Sequence, residues 1–498
     1  MPFLAQYTIR SKQSYIFRTN RLIEIVGASE IIRDTFDDLF RCAKDAKLIC
    51  QEAGTERFSM DEVRRQFSAG ALDAVELFRG GGNDTILFKD DASFLAANAA
   101  YTRFVLEKHP GLLPLCVGVE VEGRDYREDY AALMAEADRR KNAMQAGRVE
   151  NAQPFARKDR TTLQAISVEI RHGNEVEYRT AEADAKYRKG TRSEKTEEAT
   201  RLLDALAKDD ERSLLAIVHA DGNSMGVKIQ KKLGDHADYD YCVNTMRAFT
   251  QEIKTVFSEK GKDALEKRRK ALVEAYPDER LENLMVRWIV TDGDDATFLC
   301  NAKYALELTK AYLKGVKAAG DEVGVSYSSC AGICVFHAHY PFARAYELAE
   351  QACDNAKKKV HQTELEQAWV DFHFIHSGVN GDLEDIRDLH GTKDCIARPW
   401  FVCGEAPPLH GNLKQLEELN RTFHEFKVNR GQIKTLGAEL EGLKEAGEQV
   451  WKRLCYNTPG LKGKTDTLFQ NEDAMYRAFY DLSDFYDIWF RRGGGEGG

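Results

Sequence analysis

The sequence predicts an α+β fold in which two ferredoxin-like units follow one another and a helical region closes the chain. Three observations predict it. The order strand, helix, hairpin, helix, strand, helix occurs twice, over about 1–150 and 214–375. Each copy carries a hairpin signal, AVELFRGGGNDTILFKD at 74–90 and MVRWIVTDGDDATFLC at 285–300, in which apolar runs flank glycine with acidic or amide residues. From about residue 376 the apolar spacing turns helical, as in EELNRTFHEFKV and AELEGLKEAGEQVWKRL. The 498 residues, 43% hydrophobic and 31% charged, supply cores for about three domains at roughly 150 residues each.

In the first copy FLAQYTI reads as a strand and RLIEIVGASEIIRDTFDDLF as an amphipathic helix. After the hairpin come the helix SFLAANAAYTRFVLEKH, the strand LLPLCVGVEV and the helix YREDYAALMAEADRRKNAM. Residues 151–213, with the run RTAEADAKYRKGTRSEKTEEAT, are expected to form a solvated charged connector that begins a helix. In the second copy SLLAIVHADGNSMG is a strand running into a turn, followed by helical sequence over Tyr241–Phe257. Beyond its hairpin lie the helix YALELTKAYLKGV, the strand SSCAGICVFHA and the helix PFARAYELAEQACDNAKKK. Residues 376–498 are expected to be a C-terminal helical domain, with GGGEGG as a flexible tail.

Lys+Arg 71 against Asp+Glu 81 gives a net charge of −10, which excludes a generally basic nucleic-acid binder. Arg139–Lys141 and KGKDALEKRRK at 260–270 are the local exceptions. No apolar run approaches the roughly 18 residues of a membrane helix, and MPFLAQYTIRSKQ lacks the order of a signal peptide. Eleven cysteines include no CxxC pair; the closest, Cys330 and Cys334, are four apart. Reduced thiols, a cytoplasmic location and no stoichiometric zinc are the expectations. His337 and His339 flank a strand end and read as exposed polar residues.

Overlaying the copies letter by letter places Asp221 opposite Arg10 and Asp294 opposite Asn83, both 211 positions on. Gly332 falls opposite Gly118 at 214 and Lys357 opposite Lys141 at 216. In the second copy, Asp221 at a strand end and Asp294 and Asp295 at a hairpin tip converge if those strands are neighbours. Clustered carboxylates raise one another's pKa unless cations neutralise them, and oxygen-rich clusters suit Mg²⁺ or Mn²⁺. Two such ions would activate a 3′-hydroxyl and offset the charge on departing pyrophosphate. Gly222 and Gly226 would let a triphosphate approach the backbone, and Lys357–Lys359 would supply positive charge. Taken singly, DGN and DGDD are ordinary turns; their matched placement favours a metal site.

HADGNSMG, the DGDD hairpin and AGICVFHAHYPFARAYELAEQACDNAKKK resemble the nucleotidyl-cyclase palm of the large polymerase-like subunit of type III CRISPR effectors, relatives of GGDEF cyclases. YIFRTNRLIEIVGAS and GGGNDTILF resemble the first, degenerate palm of that family, and RPW at 398–400 suits its C-terminal region. The resemblance covers about 1–375. It implies two palms forming an internal pseudo-dimer and synthesis of cyclic oligoadenylates from ATP as antiviral messengers. It assigns Asp221, Asp294 and Asp295 to catalysis and, with Gly222, to two metal ions. Nucleotide contacts then fall to Gly222, Asn223, Gly226, Gly293 and Lys357 in the second palm and to Arg10, Ser29, Asn83 and Asp84 in the first. Asp292 stands where the family's GGDD has its first glycine. The family's His-Asp nuclease domain and cysteine-rich insertion have no counterpart here, so the resemblance implies a stand-alone relative. A mononucleotide cyclase and a non-catalytic nucleotide-binding scaffold of an effector assembly are the alternatives, with RNA or an effector protein as an unproven partner and no membrane.

Overall fold

Two strands that read as apolar runs become the centres of two sheets. β1 (Phe3–Ile9) and β8 (Leu214–Gly222) are buried along nearly their whole length, as central strands covered on both faces must be. The computed structural model describes residues 1–489 except 55, 122–124, 145–154, 161, 173–174, 194–213, 276–285, 339, 376–380, 390–391, 393, 410, 470 and 487–488. The chain divides into two compact units. One is Met1–Arg201 with Ser224–Thr255 and Asp292–Asp294; the other is Leu202–Asn223 with Val256–Thr291 and Asp295–Gly498.

In the first unit, α1 (Leu22–Asp45), β2 (Cys50–Gln51), β3 (Ala74–Gly80), β4 (Asn83–Phe88), α2 (Asp91–Lys108), β5 (Pro114–Glu120) and α3 (Tyr126–Ala143) follow β1. The sheet order is β2-β3-β4-β1-β5, with β4 and β5 both antiparallel to β1. On one face Leu4, Leu77, Leu87 and Val117 pack with Leu133 and Ala137 of α3. On the other, Tyr7 meets Phe94 and Tyr101 of α2. The first face is completed from far along the chain. Helices α5 (Met225–Leu233) and α6 (Tyr239–Ile253) belong to this unit, and Tyr239, Cys242 and Val243 join its core. Tyr239 donates to Asp129 Oδ2 at 2.6 Å, and Arg247 donates to the carbonyls of Leu77 at 2.6 Å and Glu76 at 2.7 Å.

The charged connector differs from expectation. Its described part forms a hairpin, β6 (Ile166–His172) with β7 (Glu175–Thr180), and a helix, α4 (Ala181–Ser193), that packs closely on α1. Glycine at the crossing makes this possible: a Cβ on Gly27 would lie 1.8 Å from the Lys186 carbonyl oxygen, and one on Gly190 2.2 Å from that of Ile23. Lys186 is buried rather than solvated, donating to Glu182 at 2.6 Å and to the Tyr15 carbonyl at 2.5 Å. A buried ammonium needs such partners.

The second unit contains β8, β9 (Val286–Asp292), β10 (Asp295–Asn301), α7 (Ala302–Glu322), β11 (Ser329–His337), α8 (Phe342–Thr363) and β12 (Gln367–Phe374). After α9 (Leu383–Leu389) the chain returns to the sheet as β13 (Trp400–Gly404), and α10 (Leu413–Glu425), α11 (Arg430–Gly442), α12 (Lys444–Asn457), α13 (Leu461–Asp466) and α14 (Glu472–Phe485) follow. The order is β13-β12-β11-β8-β10-β9. The C-terminal stretch is therefore not helical throughout, since β13 pairs antiparallel with β12. Asp481 of α14 is tied to this strand, accepting from the Trp400 indole at 2.8 Å and the Arg398 amide at 2.9 Å.

Within each sheet the four equivalent strands run second, third, first, fourth, the ferredoxin-like order. Their register differs from the letter overlay. The turn Gly81–Gly82 corresponds to Gly293–Asp294, 212 positions on, and the left-handed residues Ser11 and Ser224, which start the next helix in each copy, are 213 apart. The ladders Thr8↔Asn83 and Ala220↔Ala296 agree with these offsets. Asp221 is thus equivalent to Thr8, Asp294 to Gly82 and Asp295 to Asn83; the pairings with Arg10 and of Asp294 with Asn83 are corrected. Gly332 likewise matches Val117 rather than Gly118, and a one-residue slip moves a side chain to the other face.

Candidate functional site

Residues two apart on a strand share a face, so His219 and Asp221 point together from β8. Helix α8 lies against β8 and β11, and Gly332 permits the close approach: a Cβ there would meet the Ala349 carbonyl oxygen at 1.9 Å. Asp295 opens the neighbouring strand β10. His219, Asp221 and Asp295 each bring one ligand atom to within 4.8 Å of the others.

Electrostatics give these groups different states. His219 is 6% exposed, 3.1 Å from Thr297 Oγ1 through Nδ1 and edge-on to Tyr346. Burial pushes its pKa down to about 4, against the pull of Asp221, so it is neutral near pH 7, the form that ligates metals. Asp221 pairs with Lys357. Burial opposes the Lys357 charge, but Asp221 outweighs it and holds the ammonium above its ordinary pKa. Further along α8, Asp354 and Glu350 are both raised, first by burial and in addition by the negative charge of Asp221. Negative charge is in surplus here, and Lys357 and Lys358 offset part of it. Two carboxylate donors in such surroundings fit a hard divalent cation.

The other expected residues are distributed unevenly. Asp294 and left-handed Gly293 form the hairpin turn, and Asp294 adjoins Asp295 in the chain. Gly222 is buried in the β8–β11 ladder. Asn223 is turned inward, its amide donating to Ser328 Oγ at 2.8 Å and the Gln367 carbonyl at 2.9 Å. Gly226 is exposed in the first turn of α5, with open space beyond its missing Cβ. In the first unit, Ser29 is half-buried on α1 and Asn83 begins β4 beside the turn. Arg10 donates to the Met144 carbonyl at 2.5 Å. Asp84 is fully buried opposite Tyr7, on the sheet face away from Thr8 and Asn83, and Arg79 stands 3.4 Å from it. The structure brings Asp221 and Asp295 together and leaves Asp84 out of reach of a ligand.

His219, Glu350 and Asp354 were missed by sequence reasoning. The signals were the H-x-D spacing within a strand and the i, i+4, i+7 run Glu350, Asp354, Lys357 on one helix. Of the other sequence candidates, His337 is exposed at the end of β11, and His339 lies outside the described residues. Arg139 and Arg140 are both engaged by Glu136.

Residues 214–365 match the family model of Cas10/Cmr2, second palm domain. No curated protein matches the chain. Among solved structures, a chain of the Csm1–Csm4 cassette in complex with cA4 is 10% identical with a TM-score of 0.48, covering 97% of this chain and 70% of that one. The apo cassette gives 12% identity and 0.48, covering 98% and 69%. The cassette with pppApA gives 11% and 0.43 over 72% of this chain, which there spans about half (53%) of the matched chain's length. The Cas10/Cmr2 match lies on the stretch that gathers Asp221 and Asp295, so residues 214–365 carry a palm similar to the second palm of Cas10/Cmr2.

Proposed function

We propose that the chain is a nucleotidyltransferase that joins ATP into cyclic oligonucleotides with release of pyrophosphate. One observation carries the reading: Asp221 and Asp295 meet at the ends of adjacent strands inside the segment similar to the Cas10/Cmr2 second palm. Asp221, Asp295 and the adjoining Asp294 would hold two Mg²⁺ or Mn²⁺ ions. When bound, these ions acidify a 3′-hydroxyl and offset charge on the leaving pyrophosphate. The 3′-oxygen of one nucleotide forms a bond to the α-phosphorus of the next, the α–β phosphoanhydride bond breaks, and the hydroxyl proton passes to solvent. Lys357, which pairs with Asp221, would turn to the triphosphate once bound cations take over the Asp221 charge. His219, neutral and buried, brings a ring nitrogen to the same cluster as Asp221 and Asp295. We further propose that Ser29 and Asn83 of the first unit contact a nucleotide, with Thr8 in place of a metal ligand. The proposed setting is antiviral defence in the cytoplasm, which eleven free cysteines suit.

Incubation with ATP and Mn²⁺ followed by mass spectrometry tests the reading. Linear or cyclic oligoadenylates with pyrophosphate are expected. Adenosine 3′,5′-cyclic monophosphate as the sole product would make the protein a mononucleotide cyclase, and intact ATP that nonetheless binds would make it a scaffold.

A further inference from the structure

Helix α8 serves a second surface. Successive residues of a helix point about 100° apart, so while Lys357 turns to Asp221, Lys358 and Lys359 turn to a cavity of about 800 Å³ between α8 and the C-terminal elements. That volume lies within the roughly 300–1,000 Å³ of small-molecule sites. The cations around the cavity divide into two classes. Arg387 is held by both oxygens of Asp371 at 2.9 Å, Arg398 by Asp484 at 3.0 Å and Arg477 by Asp473 at 2.8 Å. Lys358 and Lys359 form no salt bridge among the described residues; the nearest negative charge on their own helix is Asp354, one turn before Lys358, which lines the same cavity and feels the Lys358 charge. Buried Trp369 and Trp400, with Pro399, give the cavity an apolar wall, and Asp382 and Glu384 at the start of α9 add carboxylates.

We infer that this cavity is a nucleotide-binding site, independent of the Asp221–Asp295 pair, in which Lys358 and Lys359 take the phosphate. Each part matches one part of a nucleotide. The two ammonium groups supply the charge-assisted hydrogen bonds a phosphate requires. The aromatic wall buries the base, and the carboxylates accept from ribose hydroxyls or a base amino group. A bare anion would leave the apolar wall without a partner. A purely apolar ligand would make no use of the two ammonium groups. Because α8 carries Lys357 and Asp354 as well, occupancy of the cavity acts on the helix that sets the charge at Asp221.

Equilibrium dialysis of the full chain with AMP in EDTA tests the site, since chelation removes any metal-held nucleotide. One AMP per chain is expected. Lys358→Glu with Lys359→Glu should weaken it at least about tenfold, whereas Asp221→Asn with Asp295→Asn should leave it within about twofold. Inorganic phosphate should displace AMP only at much higher concentration. Photolabelling with 8-azido-AMP should mark peptides containing Trp369 or Pro399–Trp400. The inference is overturned if AMP does not bind, if the lysine variant binds it normally while folded by circular dichroism, if phosphate competes as well as AMP, or if the label falls outside these peptides. Because no metal and no turnover enter the assay, its failure leaves the transferase reading standing, and the reverse holds.

Discussion

The two sheets share a strand order but spend their acidic residues in opposite ways. At one ladder position the second sheet has Asp221 and Asp295 with His219 two residues behind; the first has Thr8 and Asn83 with Gln6. The first unit is not poor in carboxylates. It buries Asp84 and Glu76 around Arg79, but on strand positions that face inward, where burial first and the Glu76 charge next raise the Asp84 pKa well above the ordinary range. A carboxylate at a strand end can share a cation with its neighbour. The same group one residue along faces the core and can only be neutralised. Chemistry on a repeated scaffold thus depends on register more than on composition.

The widest gap between the copies should appear in catalysis. Asp221→Asn with Asp295→Asn is expected to reduce pyrophosphate release by on the order of 10²-fold or more. Undiminished turnover would place the chemistry elsewhere. Packing gives the next largest contrast. A Cβ on Gly332 meets backbone at 1.9 Å, whereas one on Gly118 meets the movable Phe3 ring at 2.1 Å. Gly332→Ala should therefore cost about 3 kcal/mol and Gly118→Ala about 1 kcal/mol by denaturant midpoint; equal costs would mean α8 is not seated as described.

Grafting sharpens the contrast from the other side. Thr8→Asp with Asn83→Asp recreates the ladder pair in the first sheet, and electron paramagnetic resonance should then count additional bound Mn²⁺, with a lower melting temperature in EDTA from the new repulsion. No added Mn²⁺ would break the equivalence of Thr8 with Asp221. The smallest effect is expected at Asp84. Its folded pKa is raised, so the folded chain keeps a proton that the unfolded chain sheds near pH 4, and the carboxyl's stability contribution is present at low pH and lost as pH rises from there. Asp84→Asn should match the wild type near pH 4 and exceed it by on the order of 1 kcal/mol at pH 8, read from urea midpoints. A less stable variant at pH 8 would show that the ion pair with Arg79 outweighs burial.

Alternation and turn residues made the strands and both hairpins legible, and with them the meeting of Asp221 and Asp295 on neighbouring strands. Register was less legible. GGGND offers three glycines, and letters alone do not say that Gly81 and Gly82, both with positive φ, make the turn. The charges of 175–193 hid a buried helix because Glu182 and Lys186 neutralise each other one turn apart, a pairing that reads the same on a solvated surface. Tyr239, Cys242 and Val243 are recognisable as an apolar face, but periodicity is silent on which of two sheets receives it.

That last assignment has a consequence for how the chain is made. The first unit takes its sheet and α3 from the first 143 residues, but its core is closed by α6, which ends at Ile253. At the ribosome's pace of about 5–20 residues per second, the nascent sheet waits many seconds for that helix, and β8 emerges before it arrives. Leu77, Val63 and Phe67 are left partly uncovered over that interval, which makes the half-made unit a natural client for a chaperone. A ribosome stalled near residue 213 would present a sheet that has formed its hydrogen bonds with one face only partly covered.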